Sequence, residues 1–143
     1  FYDDDCALLN PEMYCQFGYP VLEKVFSHVC PNPGDYRFQH SDSDMGQHLP
    51  ALAKLNLTAC NFGPTLTVRA AMPHTRIDGQ LAPFTFMRNN ADDIIAEVKR
   101  DCLMAKEGDL RGVNLSTAGS INNGSSLESM LAVMYAIQQY GRY

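Results

Sequence analysis

The chain of 143 residues is short of positive charge: 11 Lys and Arg stand against 16 Asp and Glu, a formal net charge of -5. A surface that tracks nucleic-acid phosphates needs clustered cations, so these few and scattered ones exclude nucleic acid as a partner. No apolar run approaches the roughly 20 residues a membrane helix requires, and no signal-peptide pattern opens the chain, so a soluble protein with no membrane contact is expected. The five cysteines, Cys6, Cys15, Cys30, Cys60 and Cys102, are an odd number with no CxxC pair. Reduced thiols and a cytoplasmic location follow as expectations. A low-complexity linker, an internal boundary and a close repeat are absent too, which predicts a single domain over 1–143.

What is present is ordinary globular composition, 45% hydrophobic, and an alternation of short extended runs with amphipathic helices. That alternation predicts an α/β fold with parallel strands. Asn10 and Pro11 have the form of an N-cap followed by Pro at the first helical position, and Tyr14, Phe17, Val21, Val25 and Val29 recur at helical spacing. Pro20 should kink this helix, and "PNPG" should end it. "YRFQHS" and "TACNFG" are predicted strands. Between them "GQHLPALAKL" places Leu49, Leu52 and Leu55 on one side of a short helix, and "TVRAAMP" is a further brief one.

After the predicted strand "TRIDGQLA" comes the helix "NNADDIIAEVKRDCLMAKEGD". There Asn90 caps, Asp92 and Asp93 favour the positive end of the dipole, Ile94, Ile95, Val98 and Cys102 face inward, and Gly108 terminates. "RGVNLSTAGS" is the last strand. The last helix carries Ser125 and Glu128 at capping-box spacing and a stripe of Leu127, Leu131, Met134 and Ile137 expected to be buried.

Each strand ends in polar residues, and in parallel α/β folds the carboxyl ends of the strands share the ligand-binding edge. Asp3, Asp4 and Asp5 would repel one another there, so a raised pKa or a cationic partner is expected among them. Asp5 is read as solvent-facing. His40, Asp42 and Asp44 alternate and would share one strand face, although Ser43 or Asp44 at the start of the next helix also suits a cap. Asp78 alternates with Arg76 in the same manner. His28, His48 and His74 show no ligand spacing and are assigned to the surface. The opening "FYDDDCALLNPEMY", without an initiator Met or a polar lead-in, is expected to begin partway through an element, so that the chain is a fragment.

The ordered set "NPEMY", "HSDSDMG", "GQLAP" and "GVNLSTAGSINNGSSLES" resembles the C-terminal half of the uroporphyrinogen decarboxylase superfamily, which includes cobalamin- or coenzyme-M-dependent methyltransferases. The resemblance implies about five strands of a (β/α)8 barrel, from the end of the fourth strand through the eighth helix. It implies a parent enzyme that is a decarboxylase-type lyase on a carboxylated, tetrapyrrole-like small molecule and needs no cofactor. The rim would comprise Asp3, Asp4, His40 and Asp42 as catalytic groups and Asp44, Asp78, Gln80, Asn114 and Thr117 as substrate contacts. Two departures count against orthodox porphyrinogen decarboxylation: "GQLAP" has Gln80 and Ala82 where the family has "GNLDP", and Thr117 replaces a substrate-contacting His.

The alternative that the resemblance implies is a methyltransferase using zinc or a corrinoid. Its His-x-Cys metal pair corresponds to His40-Ser41-Asp42, with Asp42 in place of the thiolate, and Cys60 or Cys6 would add sulfur only if folding brought it near. A third reading is an inactive half-barrel that forms homo-oligomers through its open sheet edges.

Overall fold

The computed structural model describes residues 1–79, 81–107 and 112–142. They form two compact units, residues 1–77 and 78–143. The strands are β1 (Phe38–Asp44), β2 (Ala59–Gly63) and β3 (Arg76–Asp78), which follow chain order in their sheet, and β4 (Val113–Asn114) in the second unit. In the first unit β1 pairs with β2 and β2 with β3, both in parallel, so Phe38 lies beside Ala59, His40 beside Asn61 and Ala59 beside Arg76. The expected α/β architecture is present, with four strands and a further parallel bridge from Tyr2 to His40.

Parallel strands need covered faces. In the first unit, β2 is buried from Ala59 to Phe62, and the covering layer contributes Tyr14, Leu22 and Phe26 from the first helical stretch and Leu49, Leu52 and Leu55 from the segment after β1. The leucine trio therefore faces inward as its spacing indicates. The first helix does not follow its expected stripe: only Tyr14 is fully buried, while Phe17, Val21 and Val29 are exposed.

The reason lies in the backbone. Helix α1 (Pro11–Met13), capped by Asn10, leads into a π-helical turn over Tyr14–Gly18, in which Tyr19 N–H bonds to Tyr14 O, before α2 (Tyr19–Val29) resumes the ordinary ladder. The wider turn takes up one additional residue beside Pro20, which has no N–H to give, and rotates the buried face onto Leu22 and Phe26. Gly18 completes the arrangement, since a Cβ there would lie 2.7 Å from the Tyr14 ring.

Between β1 and β2, a 3₁₀ turn over Gly46–His48 leads into α3 (Leu49–Leu52). Between β2 and β3 runs α4 (Thr65–Ala71). His48, expected on the surface, is 1% exposed and stacks on Tyr14 with ring centroids 4.1 Å apart. An imidazole is apolar enough on its faces to serve as core, and its Nε2 lies 3.0 Å from Cys6 O. His28 and His74 are exposed as expected.

The second unit contains α5 (Pro83–Met87), α6 (Ala91–Ala105) and α7 (Leu127–Tyr140). Helix α6 follows its reading: Asn90 Oδ1 accepts from Asp92 N–H, and Ile94, Val98 and Cys102 are buried. The terminator Gly108 lies outside the described residues. Helix α7 corrects its reading twice. Its N-cap is Ser126, whose Oγ accepts from Ser129 N–H, not Ser125 with Glu128. Its inward residues are Ser129, Ala132 and Ala136, while Leu127, Leu131 and Met134 are exposed and Ile137 is half-buried. Small residues let α7 approach closely, and Ala136 joins a core of Leu81, Phe86, Val98 and Cys102. The larger stripe has the stronger hydrophobic signal and the wrong phase. Short α5 was not anticipated.

Candidate functional site

The site in the first unit is built on the bridge between the N-terminal segment and β1. His40 N–H donates to Phe1 O at 2.8 Å and Asp3 N–H to His40 O at 3.2 Å, so residues 1–3 run beside β1 as a short parallel strand. Alternation then sorts the side chains: Tyr2 and Asp4 come to the His40 face, and Asp3 to the opposite face with Gln39 and Ser41. Tyr2 lies against His40 with centroids 5.0 Å apart, and Ser41 Oγ–H donates to Asp3 O at 3.3 Å.

On the first face three groups converge. His40 Nε2 is 3.2 Å from Asp42 Oδ1 and 3.7 Å from Asp4 Oδ1. Asp4 is held in turn: its Oδ1 accepts from Asp42 N–H at 2.9 Å, and its backbone O accepts from Ser43 Oγ–H. His40 Nδ1 is 2.7 Å from Asn61 Oδ1, an acceptor, which places the ring proton on Nδ1 and leaves the Nε2 side toward the two carboxylates. A proton on Nε2 or a cation among the three groups then satisfies all of them.

Among the described residues, Asp4, His40 and Asp42 are the group whose ligand atoms lie within 4.8 Å of one another. Two ligands at about 2.1 Å from a divalent ion stand roughly 3.0 Å apart at a right angle and roughly 3.4 Å apart at a tetrahedral one. Of the two nitrogen–oxygen separations, 3.2 Å is of that size and 3.7 Å is longer, so the Asp4 carboxylate must draw in for all three groups to hold one ion. The donor chemistry is one imidazole and two carboxylates, without sulfur. Cys60 is buried and pairs with Gln39, so its side chain belongs to the other sheet face. The Cys6 thiol, pushed up to about 12 by burial and then by Asp3 beside it, is not a thiolate at neutral pH. The donor set suits a harder divalent ion than a thiolate site does.

The remaining candidates divide. The Asp3 carboxyl is raised to about 6, by burial first and only secondarily by the Asp4 charge, while Cys6 and Gln39 beside it oppose the rise. Mutual repulsion within the acidic run is therefore the smaller cause, because alternation turns Asp3 away from Asp4 and Asp5 is exposed. Asp44 follows a register irregularity in β1, and its Oδ1 accepts from Gly46 N–H at 2.8 Å, closing the turn into the 3₁₀ segment. A cleft of about 560 Å³ borders Tyr2, Asp3, Asp4, Cys6 and Leu22.

In the second unit, Asn114 O accepts from Gly79 N–H at 2.8 Å, and Thr117 forms a parallel bridge with Leu81. Asn114 is exposed, while Asp78 and Thr117 are half-buried. Gln80 lies outside the described residues. Sequence reasoning missed Asn61 and Tyr2 as neighbours of His40. The polar residue within the apolar strand "TACNFG" was the available signal for Asn61, but only strand register puts it opposite His40.

No described helix is long and apolar enough to cross a membrane. Residues 1–140 match the family model described as uroporphyrinogen decarboxylase (URO-D). The chain matches no curated protein. Among solved structures, a methyltransferase from Methanosarcina mazei is similar, with a TM-score of 0.72 and 21% identity over 99% of this chain and 42% of that one. At that identity the likeness is one of fold, and this chain spans less than half the length of that protein.

Proposed function

Because the chain belongs to the uroporphyrinogen decarboxylase family, we propose that it supplies the metal-holding part of a methyltransferase-type member's ligand site. The convergence of Asp4 Oδ1, His40 Nε2 and Asp42 Oδ1 within 4.8 Å carries this reading. The local charge supports it: a rim of carboxylates attracts a divalent cation and repels a polycarboxylated substrate. A decarboxylase acting on a carboxylated, tetrapyrrole-like molecule ranks second for the same reason.

Asp4, His40 and Asp42 would hold the ion, which when bound supplies Lewis acidity for activating a nucleophilic acceptor. Asn61 holds the imidazole so that Nε2 faces the carboxylates, and the Asp42 N–H keeps the Asp4 carboxylate turned toward it. The Tyr2 ring covers one side of His40. Asp78, Gln80, Asn114 and Thr117 are proposed as substrate contacts on the family resemblance alone, and a corrinoid or a thiol as the methyl-group partner.

Isothermal titration of the metal-free chain with Mn2+ and with Zn2+ tests the reading. One ion per chain is expected, with binding lost in His40→Ala and weakened at least tenfold in Asp42→Asn. Absence of binding by either ion at millimolar concentration would sink it. Self-association through open sheet edges and a cytoplasmic location belong to the same proposal, and a monomer by light scattering at high concentration would remove the first.

A further inference from the structure

Residues 1–3 are the outermost strand of the first unit, and their outer side is open. In the parallel bridge, Phe1 O and Asp3 N–H both engage His40, so the intervening Tyr2 N–H and C=O point away from β1. Among the described residues neither of these Tyr2 groups has a hydrogen-bond partner. An unpaired strand edge of this kind is a template for another strand. The cleft of about 560 Å³ lies along it, bordered by residues 1–6 and by Leu9, Val21 and Leu22.

The two faces of this edge differ in chemistry. Asp3 is turned toward Tyr14 and the helical layer, which presents the aliphatic wall, while Tyr2 and Asp4 are turned toward His40. Asp4 keeps 54% of its side chain exposed, and the exposed Asp5 follows it. Among the described residues that line the cleft there is no Lys, Arg or His.

We propose that this edge takes up an extended segment of a partner protein, as an added strand in which aliphatic and basic residues alternate. Main-chain bonds to the Tyr2 N–H and C=O would hold the strand. Alternation would send every second side chain against Leu9, Val21 and Leu22 and the others toward Asp4 and Asp5. Charge selects the partner. A basic strand is attracted to a rim of carboxylates, whereas a second copy of this chain, with its net charge of -5, would bring a like-charged rim to the same place. Self-association is thereby left to other edges. Docking here needs no ion, so it stands apart from the metal reading.

Fluorescence anisotropy on the full chain treated with chelator tests this, using a labelled peptide of alternating valine and lysine, about seven residues long and capped at both ends. Saturable one-to-one binding is expected. The same peptide with glutamate in place of lysine should bind about tenfold more weakly or worse, and methylation of the peptide's backbone nitrogens should abolish binding. Val21 is 50% exposed, so Val21→Lys leaves the core intact; it should weaken binding by about tenfold or more. Tyr2→Pro, which removes the open N–H, should weaken it likewise, and Val21→Lys decides alone if that variant does not fold. No saturable binding by the wild type at millimolar peptide, equal affinity for the glutamate peptide, or binding that survives methylation would overturn the proposal. So would loss of bound peptide as the chain concentration rises, which would give the edge to a second copy.

Discussion

Asn61 Oδ1 lies 2.7 Å from His40 Nδ1 across the β1–β2 register pair, and this one contact decides which ring nitrogen of His40 is turned toward the carboxylates. A hydrogen-bond acceptor behind a ligating imidazole fixes its tautomer and orientation, and losing such a partner typically lowers metal affinity by about 10–100-fold. Asn61→Leu should therefore weaken Mn2+ binding by about that factor without displacing β2, and Asn61→Asp should recover most of it. Titration calorimetry on the two variants reads the difference, and equal affinities would remove Asn61 from this role.

The donor set makes a prediction about metal preference. Asp42 presents oxygen where the resembled methyltransferase pattern has sulfur, and softer ligands favour zinc. Asp42→Cys is expected to raise the ratio of Zn2+ to Mn2+ affinity by about tenfold or more. Competition between the two ions, followed by manganese paramagnetic resonance, measures it. An unchanged ratio would place Asp42 outside the coordination sphere.

Asp3 should make stability depend on pH in the direction opposite to that of a salt-bridged carboxylate. Its folded-state pKa is raised from 3.8 to about 6, so between those values the folded chain binds more protons than the unfolded one. Stability contributed by the protonated group is fully present below about pH 3.8 and is lost as pH rises through about 6. Asp3→Asn, which mimics the neutral acid, should flatten that part of the profile. Urea midpoints at pH 5 and pH 7, compared between the wild type and the variant, provide the check.

Gly18 is predicted to resist any side chain. A Cβ would stand 2.7 Å from the ring of the fully buried Tyr14, and overpacking of this kind costs about 1–3 kcal/mol. Gly18→Ala should lower the denaturant midpoint accordingly, and the further change Tyr14→Leu should recover part of the loss.

The exposed stripe of α7 gives the converse case. Leu131→Gln should change stability by no more than about 0.5 kcal/mol, whereas Ala136→Leu, at a position with 0% exposure, should cost about 1–3 kcal/mol. Thermal unfolding distinguishes them, and the opposite ranking would restore the buried stripe that hydrophobicity alone suggests.

Much of this fold is written locally. Asn10 and Asn90 cap the helices that follow them, Leu49, Leu52 and Leu55 face inward, and "TACNFG" forms a buried strand, because capping chemistry, apolar spacing and β-propensity all act within a few residues. The order of strands and helices, together with the family resemblance, likewise needs only the sequence, and His40 and Asp42 stand out there through their alternation.

What the sequence leaves open depends on contacts between distant segments. The π turn over Tyr14–Gly18 shifts the buried face of one helix, and close packing in the second unit selects Ala132 and Ala136 over Leu131 and Met134 in another. Periodicity measures only the spacing of apolar residues and carries no information about how near the neighbouring element lies. The same limit governs the site. Asp3 and Asp4 are adjacent in sequence, yet pairing of residues 1–3 with β1 sends Asp4 to His40 and turns Asp3 to the other face beside Gln39, because successive side chains of an extended strand leave on opposite faces. Sequence selected the chemical groups, and the register between strands decided which of them meet.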